Sequence, residues 1–151
     1  RVPPLQCLHR PRHRAHPLMP GGAFTPGVRA AILQAHPGCV GCGRPVTEVH
    51  HRAPRRAGGT RRVEVGAPYN GLGLCSPHHA WAERHRATAG HLGWILHEPD
   101  PHAPFWTASF GWLRWALLDD HPPPCWCITH TDPPGPDAHA AARAFTRQEA
   151  T

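Results

Sequence analysis

Cys39, Cys42, Cys75 and His78 have the spacing of a metal site: Cys39-Val40-Gly41-Cys42 and Cys75-Ser76-Pro77-His78 each place two residues between potential ligands. That gap lets both side chains of a tight knuckle reach one ion, and two such pairs meet the tetrahedral demand of structural zinc. The 32 residues between Cys42 and Cys75 exceed what a classical finger uses, so further structure has to be built between the pairs. Zinc there would tie the two ends of that insertion together and substitute for a large core.

A second set occupies the insertion and its edge: His50, His51, Asn70 and His79. A residue next to a ligand on a helix projects about 100° away from it, so His79 faces off the zinc site and can meet the strand end that bears His50. Two imidazoles converging there could hold a divalent metal. His51 points the other way in the pleat and stays available as a base.

These residues need particular elements to position them. Thr25-Pro26 reads as an N-cap followed by proline at the first helical position, with Val28, Ala31, Ile32 and Ala35 on one face and a stop at His36 before Pro37-Gly38. Val46 to His50 alternates and is β-branched, which predicts a strand ending on His50. Residues 52 to 69 form an Arg- and Gly-rich loop, and Leu72 and Leu74 offer a second strand into Cys75. Ser76-Pro77 can start a helix running from His78 to about Ala89, stopped by Gly90. The aromatic stretches 93–97, 105–108 and 112–118, separated by Pro, Asp and Gly turns, predict a small β-meander packed on that helix. From Pro122, PPPCWC and TDPPGPDAH read as linker, and Ala138 to Glu149 as a short, weakly amphipathic helix. His85, His91, His97 and His102 read as surface or core histidines, and Cys7, Cys125 and Cys127 as incidental.

The fold class expected is therefore α+β. A basic, Pro-rich and disordered arm spans residues 1–22, a domain spans 23–120, and a Pro-rich linker and tail span 121–151. Met19 is the sole methionine, and the chain begins at Arg1, so Met19 is expected to be the native start. The 151 residues include 16 basic and 10 acidic side chains, for a net charge of +6. That balance favours a polyanionic partner such as nucleic acid over an acidic small molecule. No basic stretch precedes an apolar signal core, and no apolar run approaches the ~20 residues needed to span a bilayer. Cysteines in metal-site spacing rather than a disulfide framework point to a reducing, cytosolic compartment.

The combined text VRAAILQAHPGCVGCGRPVTEVHHRAPRRAGG, YNGLGLCSPHHAWAERHRA and GHLGW resembles the HNH endonucleases, the ββα-metal group, and in detail the small versions encoded by actinobacterial phages. The resemblance covers roughly residues 24 to 97 and, more loosely, the strands to about 120. It implies a zinc-bound, treble-clef-like ββα-metal finger with a short N-terminal helix and a C-terminal β extension. By that resemblance His50 and His79 hold a catalytic Mg²⁺, Mn²⁺ or other divalent ion, His51 is the general base, and Asn70 orders the loop and helps orient the base. Cys39, Cys42, Cys75 and His78 hold zinc.

Two positions depart from the family pattern. His78 stands where Cys is commoner, and Glu83, one turn after His79, stands where some relatives have His, so it is either a further ligand or a surface charge. The implied activity is metal-assisted hydrolysis of double-stranded DNA in a bacterial cytoplasm, with Arg52, Arg55, Arg56, Arg61 and Arg62 on the loop and Arg84 and Arg86 on the helix gripping phosphates. Phage packaging proteins are a further partner the resemblance suggests. Two other readings use the same cysteines: a non-catalytic zinc module that binds DNA or a packaging partner, and a redox protein using Cys39 and Cys42, which would carry no stoichiometric zinc.

Overall fold

The backbone N–H of Val28 donates to the Thr25 hydroxyl at 3.2 Å, and proline follows the cap, so the first helix starts where the sequence signals it: α1, Pro26–Ala35. The structure, a computed structural model, describes residues 21–56, 59–118 and 125–149. The arm before residue 21, with Cys7 and Met19, lies outside them, as do the side chains of Cys125 and Cys127.

Beyond α1 the chain forms β1 (Glu48–His51), β2 (Gly71–Leu74), α2 (Ser76–Arg84) and α3 (Arg86–His91). A three-stranded antiparallel sheet follows, β3 (Phe105–Thr107), β4 (Gly111–Leu118) and β5 (Cys125–His130), and then α4 (Pro136–Glu149). This mixture of helices and two small sheets is an α+β fold. β1 and β2 pair antiparallel with His50 opposite Leu72 and His51 opposite Gly71. Glycine at 71 suits the packing: a Cβ there would overlap the buried Ile32 side chain, so α1 could lie against β2 only with Ile32 displaced.

Three expectations are corrected. The helix expected from His78 to Ala89 is broken at His85, whose backbone (φ −114°, ψ 48°) leaves the helical region. Its N–H keeps the helical bond to the Trp81 carbonyl at 2.9 Å and its ring nitrogen shares that acceptor at 3.0 Å, so a side chain caps the end of α2. The strand expected over 93–97 is a turn. Gly93 has φ +70°, the N–H groups of Trp94 and Ile95 bond to the Ala89 carbonyl, and that of Leu96 bonds to Arg52, which leaves no ladder to form.

The linker expected from Pro122 instead contains β5, in which Trp115 of β4 faces Ile128. The proline-rich flanks hide a β-prone CWCITH segment. The helix after it extends two residues further toward the N-terminus than expected and buries Ala138, Ala142 and Phe145, so this region joins the core. Phe145 meets Trp81, Trp94 and Trp106 with ring centroids 4.8, 5.2 and 5.4 Å apart. With Trp115, Phe105, Leu72, Leu74 and Leu92, these rings form one core beneath the β1–β2–α2 unit. Among the described residues, no helix is long and apolar enough to cross a membrane.

Candidate metal centres

The first centre sits where the Cys39–Cys42 knuckle meets the start of α2. The N–H groups of Cys42 and Gly43 bond back to the Cys39 carbonyl at 3.2 and 2.7 Å, curling the knuckle so that both sulfurs face one point. Gly41 permits the approach of α2, because a Cβ there would stand 2.8 Å from the His78 ring. Cys39 Sγ is 3.6 Å from His78 Nδ1, Cys75 Sγ is 3.1 Å from the same nitrogen, and Cys42 Sγ is 3.8 Å from Cys75 Sγ. Sulfurs each about 2.3 Å from a tetrahedral zinc would stand about 3.8 Å apart, so the donor set and its spacing fit that ion. Burial pushes the Cys39 thiol up to about 12, against N–H bonds from Cys75, Gly41 and Cys42. A bound dication reverses that preference and holds the thiolate. The four residues are placed to bind a metal, and their donor set is that of a zinc site.

The second centre lies on the adjacent face. His50, His79 and Glu83 each bring one ligand atom within 4.8 Å of the others. His50 comes from the buried face of β1, and His79 and Glu83 lie one turn apart on α2; the two imidazole centroids are 5.1 Å apart. Each imidazole is oriented from behind. His50 Nε2 donates to the Trp94 carbonyl at 3.0 Å, which leaves Nδ1 with its lone pair toward the cluster, and His79 Nδ1 meets Glu48 at 2.5 Å, which leaves Nε2. Burial and the neighbouring His79 lower the His50 pKa to about 4, so its ring is neutral at pH 7. Glu83 also pairs with Arg86 at 2.7 Å, so it is both a cluster member and a surface charge.

His51 projects to the opposite face of β1. Its ring stacks on Phe24, with centroids 3.8 Å apart and planes 9° from parallel, and its Nε2 donates to the Gly22 carbonyl at 2.9 Å. The remaining nitrogen, Nδ1, carries the lone pair. Burial lowers the ring's pKa, with Arg55 and Arg29 acting in the same direction, so it can accept a proton at neutral pH. Asn70 is buried: its Oδ1 accepts from Ala53 N–H at 2.8 Å, and its Nδ2 donates to the carbonyls of Ala53 and Val65 at 3.0 and 2.8 Å. It closes the base of the loop that follows His51.

Of the seven arginines expected at phosphates, Arg52 is not at the surface. It is fully buried, donating to the carbonyls of Gly93 (2.7 Å), Tyr69 (3.3 Å), Ala103 (2.9 Å) and Pro104 (2.9 Å), with its guanidinium 5.2 Å from the Phe105 ring centroid. Arg55, Arg56, Arg61, Arg62, Arg84 and Arg86 are exposed; Arg62 pairs with Glu98 at 2.9 Å, and Arg55 donates to the Gly21 carbonyl at 3.1 Å.

Sequence reasoning missed Glu48 and the contacts that hold His51. Glu48 precedes His50 by two residues and therefore shares its strand face, a signal present in the text. The Phe24 and Gly22 contacts are tertiary and had no such signal. Compared with protein-family models, with curated proteins and with solved structures, the chain matches none.

Proposed function

We propose that this protein is a metal-dependent endonuclease of the HNH, ββα-metal type, hydrolysing phosphodiester bonds of double-stranded DNA. The observation that carries the reading is the convergence of His50, His79 and Glu83 on one side of β1, with a neutral, separately held His51 on the other. In this reading β1, β2 and α2 are the ββα unit, and Cys39, Cys42, Cys75 and His78 close it around structural zinc as a treble-clef-like finger.

His51 Nδ1 takes a proton from water as the water oxygen attacks phosphorus; the new P–O bond forms as the bond to the 3′ oxygen breaks, and the departing 3′ oxyanion takes a proton from solvent water, leaving a 5′ phosphate and a 3′ hydroxyl. Phe24 and the Gly22 carbonyl hold the ring for that transfer. A divalent ion on His50, His79 and Glu83 supplies positive charge against the phosphate oxygens. Two imidazoles and one carboxylate suit Mn²⁺ better than Mg²⁺, which prefers oxygen ligands. Asn70 keeps the loop in register with the base, and the exposed arginines hold the DNA backbone.

The test is relaxation of supercoiled plasmid with Mn²⁺ or Mg²⁺, comparing the wild type with His51→Ala. The wild type should nick or linearise the plasmid, and the variant should be inert while binding DNA normally. If both are equally inert and still bind DNA, the chain is a non-catalytic zinc module.

A further inference from the structure

One face of α4 stands apart from both metal centres. His139, Arg143 and Arg147 recur every four residues and so form a single stripe along about 12 Å of helix. All three are exposed, and they line an open groove of about 420 Å³, which also includes Thr146 and the largely buried indoles of Trp106 and Trp112. Trp106 and Trp112 are cross-strand partners on β3 and β4, so the groove has an apolar floor set by the sheet and a cationic rim set by the helix.

Like charges four residues apart destabilise a helix. Arg62 and Arg86 relieve their charge on Glu98 and Glu83, but among the described residues no acidic side chain pairs with Arg143 or Arg147. A stripe of that length matches the axial rise of roughly three to four nucleotides of one duplex strand, at about 3.4 Å each. Alternating sugars and phosphates need what the groove provides, an apolar surface beside donors.

We propose that the groove between α4 and the β3–β4 hairpin is a second nucleic-acid contact, in which His139, Arg143 and Arg147 hold phosphates of one strand and the floor of Trp106 and Trp112 receives its sugars. The proposal extends the nuclease reading and rests on it for the choice of DNA over an acidic protein segment. It implies that the chain holds DNA outside the catalytic finger.

The test is fluorescence anisotropy of a labelled 30-base-pair duplex with the full chain, zinc-loaded and without added divalent metal, across a salt series. The double variant Arg143→Gln/Arg147→Gln should bind several-fold more weakly, and its log–log salt slope should fall by about two. Unchanged zinc content and circular dichroism would verify that the variant is folded. Wild-type affinity and slope in that variant would overturn the proposal, as would wild-type protein that binds polyglutamate but not DNA. If the double variant weakens binding while the wild type fails to relax plasmid, the groove stands and the nuclease reading alone falls.

Discussion

Replacing Arg52 separates a phosphate contact from an internal clamp. In Arg52→Leu the buried charge and its desolvation cost disappear together, but four carbonyls lose a donor. The Arg52 bond to the Gly93 carbonyl is buried, and its loss should cost about 1–3 kcal/mol; the other three bonds are only part-buried, and water can partly replace the donor there. With about 0.5–1 kcal/mol for each of those three, the sum is about 3–6 kcal/mol, a large share of the roughly 5–15 kcal/mol that stabilises a domain. Urea unfolding of the zinc-loaded protein, followed by tryptophan fluorescence, should show a midpoint lower by roughly 2 M, for a slope of about 2 kcal/mol per M. Arg52→Lys should fall between the two, because an ammonium cannot span carbonyls from residues 69, 93, 103 and 104 as a planar fork does. A wild-type midpoint in Arg52→Leu together with a drop in DNA affinity and salt slope, the behaviour of a surface phosphate contact, would refute the internal clamp.

Three other perturbations test the site and its support. His78→Ala should abolish stoichiometric zinc and cooperative unfolding, whereas His79→Ala should remain folded and zinc-loaded but lose Mn²⁺ binding and cleavage; metal analysis and calorimetry distinguish the two. Glu48→Gln removes the carboxylate behind His79 and should weaken Mn²⁺ binding about 10–100-fold with zinc content unchanged, measured by titration calorimetry. Burial, with Arg52 acting in the same direction, lowers the His36 pKa to about 4 from an ordinary 6.5. Between those values the unfolded chain binds more protons than the folded one. The contribution is therefore complete above pH 6.5 and about 3 kcal/mol is lost as pH falls to 4. Urea midpoints at pH 7 and 5 should diverge less in His36→Gln than in the wild type.

The sequence by itself determined what spacing and local chemistry can specify. The two-residue gaps at Cys39–Cys42 and Cys75–His78 place ligands through the geometry of a knuckle and a helix turn, which is why these four residues could be grouped before any fold was known. The pleat separates His50 from His51, and the helix period separates His78 from His79, because both periodicities are local. Thr25-Pro26 likewise marked the start of α1.

Tertiary structure decided where local signals compete or say nothing. Arg52 sits in an Arg-rich loop and reads as solvated, but the carbonyls that claim it come from residues 69, 93, 103 and 104, brought together only by folding. The turn at 93–97 forms because the Ala89 carbonyl takes up the Trp94 and Ile95 N–H groups that a strand would use differently, and the break at His85 is where its own ring shares the Trp81 carbonyl and its backbone leaves the helical region. β5 and the burial of Phe145 depend on partners distant in the chain, Trp115 for Ile128 of β5 and Trp81, Trp94 and Trp106 for Phe145. A ligand set written in short spacings could therefore be read from the chain, while the pairings that hold it in place had to wait for the fold.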